Sequence, residues 1–237
     1  MTYLSKVAQL LQEIEKSEDG PLDKVSQGLA NVIGNGGLIH TFGCGHSSLL
    51  AQDVYYRAGG LVPVRPILIE CLMLHKGAKK SSDHERTPGL VESYLDEEDI
   101  QKGDAVVILS TSGRNPAPVE VARYCRAKGL YTVGLTSLAY RDSQPSRHPD
   151  GYRLEDVVDD VLDMKVPVGD AIMDGGATNS SPASSVLGAG LLHELFSRTI
   201  LQIERTGETA PVFLSGNIDG ADEHNQNLID TYTRINF

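Results

Sequence analysis

The apolar run Val106-Val107-Ile108-Leu109 opens directly into Ser110-Thr111-Ser112-Gly113-Arg114-Asn115-Pro116, and this junction constrains the fold more than any other stretch of the chain. The run reads as a buried strand. The segment after it reads as a hydroxyl-rich turn that starts a helix, with Asn115 at the N-cap position and Pro116 as first helical residue. Gly113 would let the backbone come close to a ligand. Free N–H groups and the positive end of the helix dipole would then face an anion without any lysine. Ser110, Thr111, Ser112, Gly113 and Asn115 are therefore candidate phosphate-binding residues.

A second junction of the same kind lies upstream. Gly37-Leu38-Ile39-His40-Thr41-Phe42 reads as a buried strand ending in Gly43-Cys44-Gly45-His46-Ser47, after which Leu49, Leu50, Asp53, Val54 and Arg57 recur at helical spacing. Gly45, Ser47 and Arg57 join the ligand set, and His46 is an acid–base candidate because it sits inside the turn. Strand-like segments at 38–42, 61–69, 105–110 and 131–136, with a fifth at 157–166, alternate with helical ones. That alternation predicts an α/β fold, a parallel sheet of five strands between two helical layers, with right-handed crossovers. In such a doubly wound sheet ligands bind beyond the carboxyl ends of the strands, where both turns lie.

Two helices lead the chain, from Tyr3 to about Ile14 and from Leu22 to Ile33, with Gly20-Pro21 as the break between them. Ser181-Pro182 is expected to cap a helix running to about Glu204. Its Leu187, Leu191, Leu195, Phe196, Ile200 and Ile203 make it apolar around much of its circumference. So apolar a helix predicts a subunit contact, shared with the leading helices, and hence a homodimer or homotetramer. Residues 1–36 read as N-terminal helices, 37–205 as the ligand-binding domain, and 206–237 as a C-terminal extension packing on the same domain or a neighbouring subunit. Within it, Asp222 is the expected cap of a final helix.

Net charge is −11, with no polybasic segment, which excludes a broad nucleic-acid-binding face. An anionic ligand must be held by local dipoles and a few selected cations. Cys44, Cys71 and Cys125 are odd in number and widely spaced, so neither a disulfide framework nor a CxxC metal site is indicated. No leader sequence or membrane-spanning run is evident, so a cytoplasmic protein is expected, with no membrane partner.

The two turns together, G-x-G-x-S and S-x-S-G-x-N, resemble the SIS (sugar isomerase) domain, the flavodoxin-like phosphosugar-binding fold of phosphoheptose isomerases. The likeness spans nearly the whole chain. It is carried by Phe42-Gly43-Cys44-Gly45-His46-Ser47, by residues 55–64, by Leu109 through Pro116, and by the tail from Phe213 to Asn225. It implies a phosphorylated sugar as ligand and aldose–ketose isomerisation through an enediolate as the activity, with no cofactor. In phosphoheptose isomerases the base is a glutamate in the helix after the first glycine turn, and aligning the turns puts Arg57 there. The family also takes a histidine from the last long helix, for which His193 is the loose counterpart.

Isomerisation needs a base at the carbon and a group that shuttles protons between oxygens. Glu70, at the end of the second strand segment, is the preferred base. His46, His193 and His224 are the further acid–base candidates, His224 because the dense polar tail at 215–225 could close over the crevice. That tail lacks the acidic residues a calcium loop needs at its first and last positions, so no metal is expected. The missing glutamate at Arg57 favours one alternative, a sugar-phosphate sensor without turnover; a phosphosugar lyase or etherase is the other, because its first step is the same proton abstraction.

Overall fold

A computed structural model describes all 237 residues. Helix α1 (Tyr3–Ser17) is capped by Thr2, whose side chain accepts from the Ser5 N–H, and buries Val7 and Ile14. Helix α2 (Asp19–Gly34) takes Gly20-Pro21 into its first turn, where proline costs no hydrogen bond, so the expected break falls at Glu18 instead.

The sheet consists of β1 (Ile39–Gly43), β2 (Val64–Pro66), β3 (Ala105–Leu109), β4 (Tyr131–Thr136) and β5 (Asp160–Asp163), all parallel, in the order β2-β1-β3-β4-β5. Every residue of β1 and β3 is buried; β3 is an unbroken apolar run, whereas β1 carries His40 and Thr41, whose buried side chains are hydrogen-bonded to Asp104 and to Ala51 C=O. Strand order reverses between β1 and β3. This is the switch point, and both glycine turns leave the sheet there: β1 runs into α3 (Ser47–Asp53) and β3 into α6 (Pro116–Ala127).

Alternate side chains feed two cores. Ile39, Val107, Leu109, Val133 and Leu135 pack with Leu22, Val25 and Leu29 of α2 and with Leu187, Leu191, Leu195 and Phe196 of α8 (Ser184–Arg205). On the other face Phe42, Val106 and Ile108 pack against α6 and the short helices α5 (Glu92–Leu95) and α7 (Leu154–Val157). The apolar face of α8 is thus buried within the chain by α2 and the sheet, leaving Val186 and Leu201 exposed. Its apolarity does not require a partner. Helix α4 (Ala78–Glu85) lies between β2 and β3.

Three expected elements differ. The 61–69 strand is trimmed to Val64–Pro66 because the backbone before it is engaged elsewhere. Gly59 and Val62 donate to Phe213 and Pro211 of the tail, and Gly60 accepts from Phe213. The fifth strand shortens to Asp160–Asp163 because α7 occupies the residues before it. Ser180–Pro182 is not a cap but β7, paired antiparallel with β6 (Ala171–Met173). Asp170 performs the capping: its Oδ1 accepts from the N–H groups of Ala183 at 2.9 Å and Ser184 at 2.7 Å. The final helix α9 (Ala221–Thr231) starts from Gly220 in the left-handed region, with Asp222 inside its first turn.

Candidate functional site

The carboxyl ends of β1 and β3 open into a crevice of about 470 Å³. Its floor is the turn after β3, whose geometry is set by where its carbonyls go. Thr111 C=O accepts from the Ser137 N–H at 2.9 Å, Gly113 C=O from Leu154 at 2.8 Å, and Arg114 C=O from Arg147 at 2.8 Å. In a trans peptide the N–H points opposite to the C=O. Anchoring these three carbonyls on the 137–154 segment therefore turns the N–H groups of Ser112, Arg114 and Asn115 the other way. Those N–H groups, and that of Thr111, make no hydrogen bond within the chain. Arg153, buried, adds a further tie by donating to Ser112 C=O.

Gly113 is required here. Its φ is +60°, and a Cβ would sit 2.6 Å from Glu155 Oε2 and 2.8 Å from Thr136 Oγ1. Gly43 is required too, since its Cβ would lie 2.5 Å from the Ser47 carbonyl carbon, so only glycine lets α3 start so close to β1. The first turn offers less to an anion than its sequence suggests, because the Gly45 N–H is spent on Leu72 C=O at 2.9 Å.

Of the residues singled out from sequence, Gly45, His46, Ser47, Ser110, Thr111, Ser112 and Asn115 line this one crevice, and Gly113 shapes it from behind. Asn115 holds the N-cap position of α6, but its side chain does not cap. Instead Nδ2 donates to Glu85 Oε1 at 2.8 Å, while Oδ1 accepts from Arg147 at 3.1 Å.

Four candidates lie outside the crevice in this chain. Glu70 sits in a short 3-10 turn beyond β2 and pairs with Lys76 at 2.8 Å on the surface, where the Lys76 hydrogen bond and charge hold its carboxyl below the usual range. Arg57 pairs with Asp53 Oδ1, and His193 with Asp53 Oδ2 at 2.9 Å, so these two form a surface group on α3 and α8. Arg57 also lines a separate 350 Å³ hollow with Tyr56, Phe213 and α9. His224 is held by Val212 C=O at 3.0 Å, and the tail packs beside β2 on Tyr55 and Tyr56 through Phe213 and Phe237. It does not cover the crevice.

The carboxylate that does line the crevice is Glu85, at the end of α4. Burial pushes its carboxyl up, opposed by the Asn115 hydrogen bond and by the charges of Arg86 and Arg147. Asp170 also lines the crevice, but both its oxygens are occupied in capping α8. Tyr140 contributes a phenol whose oxygen accepts from Gly169 N–H at 2.8 Å, leaving its proton free to donate. Cys44, buried at the crevice wall, is pushed well up, chiefly by desolvation, and stays a neutral thiol. No lysine or arginine side chain lines the crevice. Sequence periodicity has no means of finding Glu85, because it sits 30 residues from Asn115 on a short polar helix.

A parallel sheet with two glycine turns opening into a crevice at its switch point defines a class of nucleotide- and phosphosugar-type folds. Within that class, the family profile described as SIS domain matches residues 2–137. A UPF0309 protein of Halalkalibacterium halodurans is 46% identical over 235 residues, covering 98% of this chain and 94% of that protein. The chain belongs to the SIS-domain proteins and, among them, to the UPF0309 family. Its fold is similar to that of a phosphoheptose isomerase from Francisella tularensis, with TM-score 0.56 and 12% identity over 85% of this chain and 95% of that one. One from Neisseria gonorrhoeae gives TM-score 0.55 and 16% identity, again over 85% and 95%. No helix is long and apolar enough to cross a membrane.

Proposed function

We propose that the crevice binds a phosphorylated sugar and that the protein is an aldose–ketose type sugar-phosphate isomerase. The phosphate sits on the N–H groups of Thr111, Ser112, Arg114 and Asn115, with the Ser110, Ser112 and Ser47 hydroxyls around it; the sugar-phosphate class is that of the phosphoheptose isomerases of like fold. The observation that carries the reading is the half-buried Glu85 carboxylate in the same crevice as those unengaged donors. A carboxylate made more basic by burial is suited to take a proton from carbon next to a carbonyl, and the phosphate is the handle that positions that carbon. His46, exposed and with an imidazole that makes no hydrogen bond inside the chain, and the Tyr140 hydroxyl are placed to move protons between the two sugar oxygens. The protonated Glu85 then returns its proton to the neighbouring carbon of the enediolate, which completes the isomerisation and restores the carboxylate.

The experiment is proton-exchange NMR in heavy water with a panel of aldose and ketose phosphates. Deuterium entering at the carbon next to the carbonyl, together with interconversion, is the expected result. Tight binding with no exchange for any sugar phosphate would make the protein a sensor. Exchange accompanied by loss of a substituent would make it a lyase.

A further inference from the structure

The chain carries eleven more acidic than basic side chains, so carboxylate partners for its arginines are plentiful. All its arginines but four have one within 4.0 Å. The exceptions are Arg86, Arg114, Arg147 and Arg205, and three of these gather at one place. Arg147 N–H donates to Arg114 C=O at 2.8 Å, and its guanidinium donates to Asn115 Oδ1 at 3.1 Å. Arg114 is pinned by Pro145 C=O at 2.9 Å and Gln144 Oε1 at 3.1 Å, neither of them charged. Arg86 comes directly after Glu85 and has no hydrogen-bond or ion-pair partner for its side chain. Burial and the charges of Arg147, Arg153 and Arg86 all pull Arg114 below its ordinary value, so these guanidiniums repel one another.

Three guanidiniums gathered with no carboxylate in direct contact, though with Glu85 near enough for its charge to be felt, repel one another at a cost in folding free energy that a bound anion returns. The patch adjoins Asn115 and Glu85, both of which line the crevice. We infer that Arg86 and Arg147, backed by Arg114, form a subsite for a second anionic group of the substrate. The sugar phosphate it prefers therefore carries a further carboxylate or phosphate reaching past Glu85. This rests on the sugar-phosphate reading above and deepens it. The phosphate handle is held by dipoles alone, and the cations of the region are reserved for the other end of the ligand. Guanidinium is suited to that task because its planar fork binds carboxylate or phosphate through two N–H groups.

The test is isothermal titration of the full chain with three probes: fructose 6-phosphate, fructose 1,6-bisphosphate and 6-phosphogluconate. One or both of the doubly anionic probes should bind tighter than fructose 6-phosphate by about ten- to a hundredfold, the range for a hydrogen bond to a charged group. A gain with the bisphosphate alone identifies a phosphate subsite, and a gain with 6-phosphogluconate alone a carboxylate subsite. In R86Q/R147Q the advantage of the doubly anionic probes over fructose 6-phosphate, measured within the same variant, should vanish, and Arg205→Gln should keep it. Should the double variant melt early, R86Q alone must reduce the advantage, since that side chain bonds to nothing whose loss could unfold the protein. Equal affinity for all three probes, or an advantage that survives R86Q/R147Q, overturns the subsite and leaves the sugar-phosphate reading standing. If none of the three binds, and the wider sugar-phosphate panel fails as well, both fall together.

Discussion

Asn115 donates through Nδ2 to Glu85 Oε1 at 2.8 Å, so the residue that begins α6 at the proposed phosphate turn also orients the only crevice carboxylate not used in capping. One side chain thereby fixes the distance between the anion cradle and the group proposed to move the proton. Glu85→Gln keeps the shape and the hydrogen bond but not the base, so carbon-bound proton exchange should fall about a hundredfold or more with binding little changed. Glu70→Gln, at an exposed surface pair, should leave exchange intact. Comparing the two exchange rates by NMR decides between the carboxylates, and loss of exchange in the Glu70 variant alone would return the role to Glu70.

The same bond sets a pH dependence. Burial raises the Glu85 carboxyl and the Asn115 hydrogen bond opposes that rise. Asn115→Ala removes the opposing contribution, so the acidic limb of the pH profile for exchange, where Glu85 becomes protonated, should move to higher pH. The raised value also bears on stability through proton linkage. The stability it contributes is fully present below the unfolded carboxyl value and is lost as pH rises through the folded one. Denaturant melts of wild type and Glu85→Gln should therefore diverge over that window, wild type losing ground as pH increases, and parallel curves would count against a raised carboxyl.

Ser112→Ala tests the cradle directly. Its hydroxyl has no partner in the chain, so its removal leaves the fold alone, while loss of a hydrogen bond to a charged ligand should weaken sugar-phosphate binding about ten- to a hundredfold. Gly113→Ala acts on the backbone instead. With φ at +60° and Glu155 Oε2 in the way, the turn must open, at about 1–3 kcal/mol in stability and with loss of the aligned N–H groups. Unchanged affinity in both variants would remove the phosphate from this turn.

The two glycine turns are legible in the sequence because unusual backbone leaves a residue signature: Gly45 and Gly113 have φ of +55° and +60°, and Gly43 is forced by the approach of α3. The parallel sheet is legible because β3, buried on both faces, is apolar throughout and because strand-like and helical segments alternate along the chain. Glu85 is not, since nothing local distinguishes it from the other polar residues of α4, and the bond to Asn115 is a consequence of packing. Glu70 is expected at a strand end, but β2 stops at Pro66, and the 3-10 turn beyond it points its carboxylate at Lys76 and solvent. The tail looks like a lid because it is polar and dense. Its short apolar piece, Pro211 to Phe213, instead pairs with residues 59–62 and carries α9 away from the crevice.

The tail's last turn is fastened by a buried network far from the proposed chemistry. Asp104, nearly inaccessible, accepts from Arg234 Nη2 at 2.7 Å and Nη1 at 2.9 Å, from His40 Nε2 at 3.1 Å, and from the N–H groups of Leu38 at 2.9 Å and Gln101 at 3.0 Å. Burial alone would raise its carboxyl, but these hydrogen bonds outweigh it and hold Asp104 far below the usual carboxylate range. A depressed carboxyl contributes stability above its unfolded value, and that contribution is lost as pH falls through the folded one. Asp104→Asn should therefore destabilise the protein at neutral pH by about 3–5 kcal/mol, because Arg234 is left without its buried partner. The deficit should shrink as pH drops below the unfolded value of about 4, where the unfolded chain takes up the proton and wild type begins to lose the stability that this charge provides. Arg234→Ala should give a smaller loss, since His40 and the Leu38 and Gln101 N–H groups still donate to Asp104 and Arg234 is partly exposed. Urea titrations of the three proteins across the acid range measure all of this, and a deficit independent of pH would show that the network's charge is not what fastens the tail.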